Sequence, residues 1–164
     1  MNLIFCNLGD SNKLLFETRK ALIQSAFERQ TGLRIDYVKA GVGNTNDGNT
    51  ARRFFANPTL SAQLTGFDEE ILKRLSVVLE VISSYKKVDS KAFHTYAMRT
   101  YELMVQKYGW YWVPAGVHRV LMHGARIIDL APMALGMLSE EAQEARNKDY
   151  RYFRYVIFFS NTTF

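Results

Sequence analysis

Two apolar patterns, each opened by an aspartate, constrain this chain most. After Asp68 the residues Ile71, Leu72, Leu75, Val78, Leu79 and Ile82 recur at short helical steps, and after Asp89 the residues Phe93, Ala97, Tyr101, Met104 and Tyr108 do the same. Such steps return to one face of an α-helix. An aspartate just ahead of the pattern is a favoured N-cap, because its carboxylate accepts a backbone N–H that the first turn leaves without a partner. The spacing predicts a helix from Asp68 to about Tyr85 and another from Asp89 or Ser90 to a stop at Gly109. Both need something to bury an apolar face against, so the chain is expected to pack helix on helix.

The flanking segments extend this reading. Ser11 can cap a helix to about Gln30 that stops at Gly32, with Leu14, Leu15, Thr18, Leu22 and Phe27 on its apolar side. A short extended piece, "LRIDYV", follows. In "AGVGNTNDGNTARRFFANP" the glycines Gly41, Gly43 and Gly48, three asparagines and Asp47 predict a loop. Asn49 or Thr50 then starts a short helix that Asn57-Pro58 ends. Pro114 fits the first turn of a further helix, "VHRVLMHGARII", and a Leu-Ala-Pro connection leads to "SEEAQEARNKDYRYFR", Ser139 to Arg154. Repeats, coiled-coil heptads and low-complexity tracts are absent from the sequence. The fold class expected is mainly α, with little strand.

Composition narrows the partners. With 164 residues, 48% of them hydrophobic, the chain can build a real core in one domain. Its 21 Lys and Arg against 16 Asp and Glu give +5, which suits a polyanion. Cys6 is the single cysteine, which excludes an internal disulfide framework and a C-x-x-C zinc site made by this chain alone, and favours nucleus or cytosol. "MNLIFCNLGD" lacks a basic n-region, and no stretch reaches the ~18 apolar residues of a membrane span, so no membrane partner is expected.

Three constellations could carry chemistry. His118 and His123 fall within the H-x(3–5)-H spacing of structural zinc sites. On a straight helix a five-residue step turns about 140° away, so the pair converges on one ion only at a helix end or a distortion; otherwise these are two partly buried histidines bonded to backbone. In "NDGNTARRFF" the glycine-rich turn, a helix N-terminus, Arg52 and Arg53 could cradle phosphate, or form an ordinary Asn/Gly turn with an N-cap. The Walker pattern is not there. Read as a helix, "SEEAQEARNKDYRYFR" puts Glu144, Lys148 and Arg151 on one stripe. That stripe is either an exposed ion-pair face worth about 0.2–0.5 kcal/mol, or a metal-binding acid flanked by phosphate-gripping bases.

In order and spacing, "GNTARRFF", "VHRVLMHGARII" and "SEEAQEARNKDYRYFR" resemble the C-terminal part of the catalytic subunit of the V(D)J recombinase and its relatives, the Transib transposases. The resemblance runs from "FCNLGD" to about Arg154. The family's catalytic glutamate sits in E-x-x-N-K-x-[FY]-R-x-F-R, which "EARNKDYRYFR" satisfies from Glu144 to Arg154, and its zinc histidines are spaced as His118 and His123 are. The resemblance implies an RNase H-like DDE core that cleaves and joins DNA with two magnesium or manganese ions. A helical insertion in that core carries a zinc site of two cysteines and two histidines.

On that basis residues 1–138 are expected to be insertion-type helical structure with half of the zinc site, residues 139–157 the helix of the catalytic-type glutamate, and residues 158–164 a divergent apolar tail. The DDE core is incomplete: its two aspartates and the cysteine pair would lie upstream of Met1, so the chain would be a fragment inactive by itself. The roles implied are Glu144 as ligand to magnesium or manganese, His118 and His123 as zinc ligands, and Arg52, Arg53, Lys148, Arg151 and Arg154 as phosphate contacts. The partners implied are duplex DNA and either a second copy or the missing upstream part, in the nucleus or otherwise the cytoplasm. A non-catalytic DNA-binding or protein-interaction module, or a non-functional transposon remnant, is the alternative.

Overall fold

The computed structural model describes residues 13–41, 43–139 and 146–150. These are mainly helical: α1 (Lys13–Thr31), α2 (Gly48–Phe55), α3 (Pro58–Thr65), α4 (Glu69–Ser83), α5 (Ser90–Tyr108), α6 (Ala115–His118) and α7 (Gly124–Leu130). A π-helical turn (Arg119–His123) joins α6 to α7, and a 3₁₀ turn (Leu135–Leu138) follows α7. Two-residue strands β1 (Val38–Lys39) and β2 (Gly43–Asn44) pair antiparallel and make the one hairpin among the described residues.

The two capped patterns fold as the sequence predicts. Asp68 accepts from the Ile71 N–H and Asp89 from the N–H groups of Lys91 and Ala92, so each carboxylate satisfies donors that the helix start cannot pair internally. Between α2 and α4 lies a helix the sequence reading passed over. Asn57 caps α3, Pro58 occupies its first turn, and Gly66 closes it at φ +72°, a left-handed conformation that glycine reaches without a Cβ penalty.

Helix α4 is the centre of the packing. It touches α2 and α3 on one side and α5 on another, while α5 carries the π turn and α7. The core collects Ile23, Phe27, Ile35, Phe54, Ile71, Val78, Phe93, Ala97, Met104 and Leu121. Burial on α1 differs from the expected face. Phe27 is buried as expected, but Leu14, Leu15, Thr18 and Leu22 are exposed and Ile23 is buried in their place. The helix is apolar on more than one side, so periodicity alone did not choose between them.

At Gly124 and Gly136 the backbone comes too close to a neighbouring element for a side chain. A Cβ on Gly124 would lie 2.8 Å from the buried ring of Phe93, and one on Gly136 would collide with the Ser83 carbonyl. The first lets the π turn and α7 sit tight on α5, and the second docks the 3₁₀ turn on the end of α4. No described helix is long and apolar enough to cross a membrane.

Candidate metal and nucleic-acid site

His118 ends α6, and His123 ends the π turn that follows. A wider turn with i→i+5 character brings residues five apart to neighbouring positions, where a straight α-helix would swing the second away. His123 shows the distortion directly, at φ −116° and ψ −8°, well away from about −63° and −42° of a regular helix. The two imidazoles meet edge to face with centroids 5.6 Å apart, and His118 in turn meets the Tyr101 ring at 5.9 Å. Two imidazoles on one tetrahedral zinc, with Zn–N of about 2.0–2.1 Å, have centres roughly 5 Å apart. The separation of the two rings is close to that spacing.

Local packing places the pair. Leu121, inside the π turn, is buried among core side chains, and Gly124, next to His123, admits Phe93 of α5. These contacts fix the turn while His118 stays half-buried and His123 exposed. Among the described residues no group of three or more His, Cys, Asp and Glu is placed to hold one ion. The pair is thus a two-donor arrangement within that part of the chain.

The glycine- and asparagine-rich loop is organised by its own side chains. Asp36, in the left-handed region at φ +54°, accepts from the amides of Asn44 and Asn46 at 2.9 Å each and pairs with Lys20 at 2.6 Å. Asn46 Oδ1 accepts the Asp36 N–H at 2.8 Å. At the start of α2 the Asp47 carboxylate accepts from the Thr50 N–H at 2.8 Å, with Lys39 at 3.6 Å. The Thr50 N–H and hydroxyl, then Lys39, hold that carboxyl below its ordinary range although the residue is exposed. A phosphate at this helix end would compete with the chain's own carboxylate. The expected cradle is thus already occupied in part.

Arg52 and Arg53 diverge. Arg53 is exposed and donates to the Thr31 carbonyl at 2.9 Å, satisfying an acceptor at the end of α1, whereas Arg52 lines a groove between α2 and α4. Residues 146–150 are helical and exposed; they include Lys148. Arg146, close by, donates to the Met137 carbonyl at 2.8 Å. Glu144, Arg151 and Arg154 lie outside the described residues, as do Cys6 and residues 158–164.

No family model matches this chain, and no curated protein matches it.

Proposed function

We propose that the chain is part of a DNA transposase of the Transib and V(D)J-recombinase kind. Its share of the enzyme is the third acid of an RNase H-like site and half of a structural zinc site. The observation that carries this reading is the π turn, which brings His118 and His123 within 5.6 Å despite a spacing that a regular helix would separate. The motif from Glu144 to Arg154 supports it from the sequence.

In this reading His118 and His123 hold two corners of a zinc ion that ties the helical insertion to polypeptide carrying the cysteine pair. Glu144 is the carboxylate of the catalytic centre, joined there by two aspartates from outside these 164 residues. Magnesium or manganese, when bound, stabilises the charge of the attacking and leaving oxygens. Arg53, Lys148, Arg151 and Arg154 grip duplex phosphate, which gives affinity without sequence readout. The chain alone cleaves nothing, because one carboxylate does not make a two-metal site. Its place of action in this reading is the nucleus, or otherwise the cytoplasm.

The test follows imidazole resonances by NMR as zinc is added to millimolar concentration. Both His118 and His123 should shift together in weak binding, with His94 unchanged, since two imidazoles leave a tetrahedral ion half coordinated. Movement of neither histidine, or of only one, would remove the zinc half-site.

A further inference from the structure

A groove of about 510 Å³ opens between the C-terminal half of α2 and the last turns of α4. Its walls include apolar Phe55 and Leu79, and it is also lined by Arg52 of α2, Glu80 of α4, and Tyr85 and Lys86 of the segment after α4. The walls are tied before any ligand arrives. Ser76 on α4 donates to the Phe55 carbonyl at 3.0 Å, and the Lys86 N–H is held by the Ser84 hydroxyl at 3.0 Å. The Gly136 N–H donates to the Ser84 carbonyl at 3.3 Å, so the 3₁₀ turn buttresses the same segment. Tyr85, between Ser84 and Lys86, is nevertheless 68% exposed, an aromatic ring open to solvent.

This set of groups has the complement of a nucleotide. Guanidinium and ammonium groups suit phosphate, an exposed ring suits a base face, and a carboxylate can accept from an exocyclic amino group. The volume is within the roughly 300–1,000 Å³ range of small-molecule sites. We propose that the groove binds one nucleotide unit of a single strand, its phosphate at Arg52 and Lys86 and its base against Tyr85 over the apolar floor, with Glu80 favouring a base that bears an amino group. The choice of a strand over a free nucleotide rests on the nucleic-acid reading above; the groove chemistry itself does not.

The experiment titrates the 164-residue chain into fluorescein-labelled dC12 and dT12, with a labelled duplex measured alongside. The groove predicts that dC12 binds more tightly than dT12, that Arg52→Gln with Lys86→Gln weakens dC12 about tenfold, and that Tyr85→Ala weakens it about fivefold or more. Glu80→Gln should narrow the gap between dC12 and dT12. Tyr85 and Lys86 are exposed, so these variants keep the core, which circular dichroism verifies. Cytidine monophosphate displacing dC12 from the groove supports the site and identifies its ligand as the free nucleotide; failure to displace it supports the strand unit. Displacement by inorganic phosphate as effective as by cytidine monophosphate overturns the proposal, because the base then contributes nothing. Wild-type dC12 affinity in the groove variants, or absent dC12 binding while duplex still binds, also overturns it and leaves the transposase reading standing. Loss of duplex binding with groove-dependent dC12 binding retained supports the groove and counts against that reading.

Discussion

His118 and His123 meet edge to face across a single π-helical turn, and the residue that lets the turn sit there is Gly124 against Phe93. Small size at position 124, buried contact with α5 and the convergence of two imidazoles are one chain of cause. Substituting Gly124→Ala gains up to about 1 kcal/mol of helix propensity. It also drives a Cβ into a buried ring, and overpacking of that kind costs about 1–3 kcal/mol. The variant is expected to be net less stable by urea denaturation and to lose the joint zinc response of the histidines. Stability at or above wild type would show that the α5 contact does not hold the turn.

Asp68 ties the start of α4 to the end of α5. Its carboxylate accepts from the Ile71 N–H and from Lys107 Nζ, and its own N–H donates to the Tyr108 hydroxyl at 3.0 Å. Burial pushes the carboxyl up, but the Lys107 hydrogen bond, the Ile71 N–H and the Lys107 charge outweigh it, so it lies below the ordinary aspartate value. A folded-state value depressed in this way contributes stability above the unfolded value, and that stability is lost as pH falls through the folded one. Melting temperature should therefore decline between about pH 5 and about pH 2, and Asp68→Asn, which can still cap, should flatten the decline. Asp68→Ala should cost about 0.5–2 kcal/mol at neutral pH through loss of the cap. An unchanged acid profile in Asp68→Asn would place the acid sensitivity elsewhere.

Duplex binding is expected to be weak, salt-sensitive and nearly indifferent to sequence, because exposed cations such as Arg53 and Lys148 meet phosphates rather than base edges. Fluorescence anisotropy between about 50 and 200 mM salt measures the slope of log affinity against log salt. Each lost phosphate contact should reduce its magnitude by about 0.9. Arg53→Ala with Lys148→Ala should therefore flatten it by nearly two such steps, equally for unrelated duplexes. No change in slope would exclude both residues from the contact.

How much of this was legible in the sequence depended on whether a local signal had a competitor. Helices α4 and α5 were readable because Asp68 and Asp89 cap long apolar patterns with one dominant face. Helix α3 is not legible because Asn57-Pro58 reads as the end of α2, whereas the same pair caps and starts the next helix and Gly66 closes it. On α1 the expected face holds only at Phe27: Leu14, Leu15 and Leu22 are exposed and Ile23 is buried instead, because tertiary packing, which periodicity does not report, selects the buried side. The asparagines of the loop were legible as turn residues, but their convergence on Asp36 was not, since that requires the chain to fold back from residue 46 to residue 36. For the histidines, the spacing stated the condition, a distorted helix, without revealing that the distortion exists. Gly124 was the available hint, a small residue beside His123 where the backbone approaches a neighbour.

Whether Glu144 is the third acid of a DNA-cleaving site is decided by metal-dependent nicking of duplex DNA. The assay uses the chain joined to upstream polypeptide that carries the two aspartates and the cysteine pair. The joined protein should nick with magnesium or manganese, and the 164-residue chain should not. Glu144→Gln should abolish nicking while DNA binding and fold persist, because it removes a charged ligand and keeps side-chain size. Glu140→Gln and Glu141→Gln should be milder, since the motif registers on Glu144. Full nicking by the Glu144→Gln protein would contradict this role for Glu144 and leave "SEEAQEARNKDYRYFR" an ordinary charged segment.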